Sequence, residues 1–395
     1  MALHCKRLNL APGDEKSSNG IPAFLSKAVI PPHPKSISNA LELLVMIGAM
    51  IPKSNNLTNL GVCLSYLSLD PRVGKMVIWS HILGCAQGAS SMAVAMSNKS
   101  PFVLPISPSM KKHASKNMVE LSKGSESDLL TILNILRARD DYTRRRNRSN
   151  GSFASFCKRN YLSIGTVQMI SDLRRHISRE LENIGFPPTN DNQQYHNRYG
   201  ESDPALLQAS IIAGLYPNIA FRKRGDVNFL TKSNLKAKVH AGSVNACYGQ
   251  RLSSKCSVRA YEVEYVTYNE MVKGVGCFTM NQTTRISSTL PLLLFCGGQL
   301  NLRDFVHNDD TDDVDIGPNE TNGKKSVLYV EDHIMFQCDR EVAVGIVLLR
   351  RRIERAFLRF IENPSSGLSM LQKEEMDAIN TSCNLLKIAF SLSKN

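Results

Sequence analysis

Apolar positions after residue 70 predict two consecutive helices, the first of them buried. Asp70 can cap the first helix, and Pro71 suits its first position because the amide hydrogen that proline lacks would have no partner there. The residues that follow are apolar on nearly all sides, so we expect this helix to be buried; they are Val73, Met76, Val77, Ile78, Trp79, Ile82 and Leu83. A second helix is predicted near residues 91–97 and ends before Pro101.

The same helical spacing predicts elements on both sides of this pair. A short helix ends at Pro31, and a longer one covers residues 39–50. Ser127 can cap a helix that runs to residue 136. Near the end of the chain, a long helix from Arg340 to about residue 362 carries one apolar stripe, with arginines on its other sides, and Asn363-Pro364 ends it.

Short strand-like segments alternate with turns in the second half of the chain. They cover residues 227–230, 236–240, 260–268, 276–280 and 290–295. Five short strands in a basic segment are typical of a small barrel of the oligonucleotide/oligosaccharide-binding (OB) type. Residues 327–330 and 334–336 predict a closing hairpin after it.

Composition favours an acidic partner. The 395 residues carry a net charge of +13, with a pI near 9.3, which favours nucleic acid or another anionic surface. The ten cysteines form no C-x-x-C pair, and nothing resembles a signal peptide, so we expect reduced thiols in an intracellular compartment such as the cytoplasm, nucleus or mitochondrion. The longest apolar runs are far shorter than the roughly 20 residues that a membrane helix needs.

Catalytic motifs are missing from the sequence. There is no G-x-x-x-x-G-K-[ST] loop for nucleotide phosphates and no DEAH-like tetrapeptide. The acidic run 309–315 lacks the glycine and glutamate of a calcium loop. His240, Cys247 and Cys256 are too loosely spaced for a zinc site. We therefore expect no catalytic, metal-binding or cofactor-binding residues, and no NTP hydrolysis by this chain alone.

Several ordered motifs resemble one protein family. Asp70-Pro-Arg-Val-Gly-Lys-Met76 fits the pattern D/E-P-x-x-G-K-M, and Ser97-Asn-Lys-Ser-Pro-Phe102 fits S-x-K-S/D-P-F. The segment Ala213-Gly-Leu-Tyr-Pro-Asn-Ile-Ala220 matches a third pattern. Together they resemble the C-terminal region of DEAH/RHA-type RNA helicases.

The resemblance implies an α+β multidomain fold with a winged helix, an α-helical bundle (the "ratchet"), an OB-like β-barrel and C-terminal helices. The expected boundaries are a partial N-terminal segment and winged helix at 1–66, the bundle at 67–186, and a linker at 187–203. The OB-like domain would cover 204–338 with an acidic insertion at 307–326, and the terminal helices 339–395.

The resemblance also implies a function. The chain would be the accessory C-terminal half of an ATP-dependent RNA helicase, guiding single-stranded RNA and docking on upstream motor domains that hold ATP and magnesium. Ribonucleoprotein or helicase-activator proteins are further partners to expect. Two alternatives stay open: a non-enzymatic RNA-binding or scaffold protein derived from such a helicase, and a winged-helix DNA binder.

RNA-binding candidates follow partly from the resemblance and partly from local charge. The resemblance suggests His240, Ser243 and Asn245 in one loop, and Tyr268 and Lys273 in another. Local positive charge adds Arg222, Lys223, Arg224, Lys236 and Lys238. The family pattern R-D-x-T reads Asn281-Gln-Thr-Thr284 here, so an arginine that could hold a phosphate is missing. Restoring it by Asn281→Arg is expected to tighten RNA binding.

Overall fold

The structure, a computed structural model, describes residues 1–14, 17, 20–144, 152–188, 203–223, 225–246, 263–274, 276–304, 325–330 and 334–393. Most of the predicted linker, most of the acidic insertion and Arg224 lie outside these residues. No helix in the described part of the chain is both long and apolar enough to cross a membrane.

The N-terminal part is helical. Its helices are α1 (Ala2–Arg7), α2 (Ile21–Leu25), α3 (Pro34–Met46) and α4 (Asn59–Tyr66). Among the described residues of 1–66, strand-like pairing is limited to one bridge between Met50 and Leu57. The paired strands of a wing are absent from these residues, so the predicted winged helix is not confirmed.

The bundle contains the predicted helix pair. It comprises α5 (Pro71–Ile82), α6 (Ala86–Ser97), α7 (Pro108–Ser122), α8 (Asp128–Arg144), α9 (Phe153–Arg159) and α10 (Ile164–Ile184). As predicted, Asp70 caps α5: its Oδ1 accepts a hydrogen bond of 2.9 Å from the Arg72 amide. Trp79 is also buried as predicted, with 6% of its surface exposed.

Helix α11 (Pro204–Leu215) crosses α5 at very short range. A Cβ atom at Gly214 would lie only 2.4 Å from Met76 Cβ and 2.7 Å from Met76 Cα. Since non-bonded carbon atoms cannot approach so closely, glycine is the residue that permits this crossing. The apolar α11, buried on all sides, thereby connects the bundle to the barrel that follows it.

The barrel is closed and has five strands, as the sequence predicted, but one of the five predicted strands is not part of it and another strand takes its place. The strands are β1 (Ile219–Lys223), β2 (Phe229–Thr231), β3 (Lys236–Val239), β4 (Val263–Lys273) and β5 (Phe278–Arg285), in the order β1-β2-β3-β5-β4. β3 and β5 pair in parallel, and the other neighbours are antiparallel.

The segment predicted as a fifth strand at 290–295 is instead a helix, α12 (Leu290–Phe295). Pro291 stands in its first turn, where a missing amide hydrogen costs nothing, and the side chains from Pro291 to Phe295 are all buried. The strand that the prediction missed is β1. A short, continuously apolar run fits a buried helix as well as a buried strand, so periodicity alone could not decide.

The predicted closing hairpin is present, but it belongs to a separate sheet. β7 (Lys325–Val330) pairs with β8 (Ile334–Asp339) and with β6 (Leu300–Asp304), and all three are antiparallel. This sheet packs against the N-terminal half of the long helix α13 (Arg340–Glu362), where Ala343 is fully buried. A 3₁₀ segment (Pro364–Met370) and α14 (Lys373–Leu392) complete the described chain.

Helix α13 ties the terminal region to the bundle. Its Phe357 stacks on Trp79 of α5, with ring centroids 3.9 Å apart and an interplanar angle of 6°. Beside this stack, a groove of about 660 Å³ lies between α5, α12, α13 and the loop that connects α3 to α4. Lys75 lines the groove, and its Nζ donates a 2.9 Å hydrogen bond to the carbonyl oxygen of Ile47. Burial lowers the pKa of Lys75 from 10.5 to about 8.

The first prediction concerns the packing of α5. A Cβ at Gly74 would lie 2.7 Å from Leu64 Cδ2 and 3.3 Å from Leu67 Cδ1. Gly74→Val should therefore lower the free energy of unfolding by about 1–3 kcal/mol through overpacking. Urea denaturation followed by Trp79 fluorescence measures this. Gly345→Val in α13 is the control, because no atom lies within 4 Å of the new Cβ there. Equal stability of the two variants would contradict this packing.

The second prediction concerns Lys75. Between about pH 8 and 10.5 the unfolded chain keeps a proton on this amine that the folded chain has lost, so the free energy of unfolding should rise with pH across this window. Lys75→Met removes that contribution. The stability of the wild type relative to Lys75→Met should therefore increase as pH rises through the window, as measured by urea denaturation. Lys111→Met on the exposed face of α7 controls for the lost charge. A pH-independent difference between wild type and Lys75→Met would disprove the assignment.

Candidate nucleic-acid interface

Strand register places a row of polar side chains on the outer surface of the barrel. On β5, Met280 points into the barrel core, so its neighbours Thr279 and Asn281 lie on the outer face. Lys238 of β3 and Val272 of β4 are both paired with Thr279, and Glu270 is paired with Asn281. Since paired residues share a face, the strands β3, β5 and β4 form one outer surface of lysine, polar and acidic side chains together with the exposed Val272, which we call the barrel strip.

His240 extends the barrel strip beyond the end of β3. Its amide donates a 2.9 Å hydrogen bond to the Met280 carbonyl, which continues the ladder by one residue. Its ring Nδ1 accepts a 3.1 Å hydrogen bond from the Gly242 amide. A neutral imidazole that accepts at Nδ1 carries its hydrogen on Nε2, so His240 has one ring donor left for a ligand. The His240 side chain is exposed.

The bundle supplies the opposite wall. After α6, Asn98 Nδ2 donates to the Val94 carbonyl at 2.8 Å, and Ser100 Oγ accepts from the Phe102 amide at 3.3 Å. Phe102 also forms a β-bridge with Leu162, which ties this loop to the rest of the bundle. The loop and the barrel strip together enclose a pocket of about 390 Å³. Its lining includes Ser97, Asn98, Ser100, Phe102 and Leu104 from the bundle, and His240, Glu270, Asn281 and Gln282 from the barrel.

A buried carboxylate holds the two walls together. Asp128, the first residue of α8, accepts 2.8 Å hydrogen bonds from the Val244 amide at Oδ1 and from the Thr283 amide at Oδ2. Burial raises the pKa of Asp128, and the hydrogen bonds to Ser243, Val244 and Thr283 partly offset this. Next to it, Ser127 and Thr284 share a 2.7 Å hydrogen bond between their hydroxyl groups.

Asn281 and Gln282, which stand where the family pattern has Arg-Asp, have two separate roles. Gln282 has a positive φ of 50°, and its side chain donates through Nε2 to the Ala95 carbonyl at 3.1 Å. Its Oε1 accepts from Asn269 Nδ2 at 2.7 Å. Gln282 therefore joins the barrel to α6. Asn281 lines the pocket and stands directly opposite Glu270.

Charge divides the interface into two parts. The charged residues that line the pocket are the carboxylates Asp128 and Glu270, and the described lining contains no lysine or arginine. Exposed lysines lie instead on the barrel strip, at Lys236 and Lys238, and at two strand ends, at Lys223 and Lys273. The pocket therefore suits an uncharged group such as a base or ribose, and the lysines suit phosphates outside it.

The structure separates the predicted binding residues into three groups. Lys223, Lys236, Lys238, His240 and Lys273 are exposed, and the three on or next to β3 lie close together. The Arg222 guanidinium is already engaged, with Nε 3.2 Å from Glu264 Oε2 and its carbon 4.5 Å from the Phe229 ring centre. Arg224 lies outside the described residues.

The third group is structural. Tyr268 is 6% exposed in the barrel core, so its ring is not accessible for stacking on a base. Its neighbours along β4 and β5 place it on the inner face, which the sequence alone did not show. Ser243 Oγ bonds to Thr283 Oγ1 at 2.8 Å, and Asn245 Nδ2 donates to the same atom at 2.9 Å. These two side chains hold the loop to β5.

Sequence reasoning missed the bundle side of the pocket. Residues 97–102 match a family motif, but the motif by itself does not indicate that they form one wall of a pocket. Their loop position, polar composition and single aromatic ring were the available signals. Nothing in the sequence around Glu270 indicated that it lines a pocket, because only the pairing of β4 with β5 places it opposite Asn281.

Comparison with known proteins agrees with this architecture. Residues 70–161 match the helicase-associated domain (HA2), ratchet-like, and residues 207–299 match the oligonucleotide/oligosaccharide-binding (OB) fold. The first range covers α5 to α9, and the second includes all five barrel strands.

Similar full-length proteins are helicases. The chain is 29% identical over 381 residues to the DExH-box ATP-dependent RNA helicase DExH1 of Arabidopsis thaliana, covering 96% of this chain and 33% of that protein. It is 27% identical over 385 residues to the human ATP-dependent RNA helicase DHX29, covering 93% and 24%. It is 26% identical over 351 residues to the human ATP-dependent DNA/RNA helicase DHX36, covering 87% and 31%.

The chain thus spans about a third or less of the length of these relatives. Its bundle and barrel match in the same order as the two family domains, and the motifs at residues 70–76, 97–102 and 213–220 fall within the matched ranges. The ratchet-like bundle, the OB fold and the relatives together support the interpretation that the chain corresponds to the C-terminal region of a DEAH/RHA-type RNA helicase.

Proposed function

We propose that this chain guides single-stranded RNA along the barrel strip and through the pocket between the bundle and the barrel. The observation that carries the proposal is that both domains line one pocket of about 390 Å³. OB folds use the surface of their second and third strands for oligonucleotides, and β3 carries Lys236, Lys238 and, just beyond it, His240.

The geometry suggests that different residues contact different parts of the RNA. Lys223, Lys236 and Lys238 hold phosphates by charge, independently of sequence. In the pocket, His240 Nε2 can donate to a base or ribose, Glu270 can accept, and the Phe102 ring offers an apolar surface. Few groups of the pocket read base edges, so we expect little sequence preference.

The motor of such a helicase would lie outside this chain. The relatives are named as ATP-dependent helicases, and the 395 residues of this chain contain neither the phosphate loop nor the DEAH box. We propose that motor domains with bound ATP and magnesium dock on this region, and that ribonucleoprotein or activator proteins are further partners. The alternative is a non-enzymatic RNA-binding scaffold. Upstream transcript sequence with an in-frame phosphate loop would decide for the enzyme.

The third prediction uses a triple charge reversal on the basic side of the barrel. Lys223→Glu, Lys236→Glu and Lys238→Glu together should weaken binding to every single-stranded RNA sequence alike, because phosphates carry no sequence information. The slope of log affinity against log salt should become less steep by about 0.7 for each phosphate that the variant no longer binds. Fluorescence anisotropy with labelled single-stranded RNA at two salt concentrations measures both effects.

The matched control is Lys27→Glu, Lys35→Glu and Lys53→Glu, which reverses three exposed charges in the N-terminal helical part. It changes the net charge equally and should leave most of the affinity intact. If both triple variants lose affinity to the same extent, net charge rather than the barrel surface explains binding. Salt-independent binding would count against the phosphate contacts and favour a protein-docking scaffold.

The fourth prediction concerns the missing family arginine. Glu270 stands opposite position 281, so an arginine introduced there alone would pair with this carboxylate. Asn281→Arg by itself should therefore change RNA affinity little, which revises the tightening that the sequence alone predicted. Combined with Glu270→Gln, it should tighten binding about tenfold, which is about 1.4 kcal/mol and typical of one charge-assisted hydrogen bond.

Glu270→Gln alone is the control, because it removes a repulsive charge without adding a guanidinium. The tightening beyond this single variant measures the contribution of the arginine. Equal affinities of the double variant and Glu270→Gln would show that RNA does not pass close to position 281.

A further inference from the structure

A second basic surface lies on α13, away from the barrel strip. Arg351, Arg352 and Arg355 of α13 are exposed, and we call these three residues the arginine strip. Among the residues that the structure describes, no carboxylate lies within ion-pair distance of the arginine strip. Within that part of the chain, the strip side chains make one hydrogen bond, from Arg355 Nε to the Arg351 carbonyl at 3.4 Å.

The preceding arginine shows what a structural role looks like in this helix. Arg350 is buried, and its guanidinium donates to the carbonyl oxygens of Leu293 and Cys296 at 3.2 and 2.7 Å. It also pairs with Glu354 at 2.8 Å. The donors of Arg350 are thus used within the fold, whereas the three arginines of the strip, apart from Arg355 Nε, present theirs to solvent.

The arginine strip is rigid because α13 is firmly packed. The stack of Phe357 on Trp79 and the burial of Ile353 and Phe360 hold the helix immediately below the arginines. At 1.5 Å of rise per residue, Arg351 and Arg355 are separated by about 6 Å along the axis, with Arg352 beside them around the helix. One strand of duplex DNA presents a phosphate about every 3.4 Å of its axis, and the spacing in duplex RNA is of the same order, so the strip spans two or three phosphates.

The composition of this surface favours a duplex over a single strand. Proteins that bind single strands stack the bases on aromatic side chains. The aromatic residues of α13 are Phe357 and Phe360, and both are buried. The arginine strip therefore offers guanidinium groups alone, which hold phosphates bidentately and leave paired bases untouched. The exposed apolar residues Val342, Val344 and Leu348 precede the arginines along α13 and Leu358 follows them, so the arginines interrupt the apolar surface of the helix.

We propose that the arginine strip of α13 binds the phosphate backbone of double-stranded RNA, at a site separate from the pocket between bundle and barrel. No residue of the strip lines that pocket. The site would hold a duplex region of the same RNA whose single strand follows the barrel, or a separate duplex. This proposal depends on different residues from the proposed guiding of single-stranded RNA, so an experiment can disprove one of the two and leave the other intact.

The test compares duplex and single-stranded RNA on the whole chain. Arg351→Gln, Arg352→Gln and Arg355→Gln together should weaken binding of a labelled blunt-ended RNA duplex of about 12 base pairs at least tenfold. The log–log salt slope for the duplex should become less steep by about 2–3, taking for each lost phosphate the value of about 0.9 that holds for duplex DNA. Affinity for a single strand of the same length should change less than about twofold.

The matched control is Arg174→Gln, Arg175→Gln and Arg179→Gln on α10, which removes the same charge from another helix. Its duplex affinity should stay within about threefold of wild type. Thermal unfolding establishes whether both triple variants fold. If the strip triple variant does not fold, the single variant Arg355→Gln replaces it in the test, and it should weaken duplex binding about threefold.

Three results would overturn the proposal. They are no duplex binding by the wild type, equal losses of duplex affinity in the two triple variants, and parallel losses for duplex and single strand in the strip variant. A wild type that binds single strands and no duplex would leave the guiding function intact. The arginine strip would then be a solvated surface or a site for an acidic protein.

Discussion

The arrangement of this molecule depends on the buried carboxylate of Asp128. A charge removed from water is costly unless several hydrogen bonds compensate it, and Asp128 receives them from the amides of Val244 and Thr283 and from neighbouring hydroxyl groups. Its position at the start of α8 adds the favourable field of the helix N-terminus. These donors belong to the barrel and the acceptor belongs to the bundle, so satisfying the carboxylate requires the two domains to meet in one orientation.

That orientation creates the pocket and makes it rigid. The Ser127–Thr284 hydrogen bond, the ion pair of Glu126 with Arg285 at 3.2 Å and the Gln282 contact with Ala95 all lie along the same seam. The side chains of the barrel strip therefore keep a fixed distance from the loop after α6. A ligand that binds between rigid walls loses less free energy to the ordering of the site than one that must bring two mobile domains together.

Helix α13 makes a second connection, between the terminal region and the bundle. It packs on the three-stranded sheet, on α12 and on Trp79, and Arg350 donates to carbonyl groups at the end of α12. The buried face of α13 is thus fully occupied by packing against these elements. The arginines on its opposite face are held at fixed spacing as a consequence, and this is the property that a rigid phosphate-binding surface needs.

Local signals in the sequence determined the helices, since a cap, a proline and an apolar stripe act within one or two turns. The cap of Asp70, the burial of Trp79 and the limits of α13 were all predictable for this reason. The family motifs added the ratchet-like and OB domains. Tertiary structure decided the rest. Residues 290–295 became a helix because their surroundings bury every side, Tyr268 faces inward because of strand register, and the pocket exists only where the 97–104 loop meets β5. Contacts such as those between the 97–104 loop and β5 join residues far apart in the chain, and no local pattern of hydrophobic and polar residues encodes them.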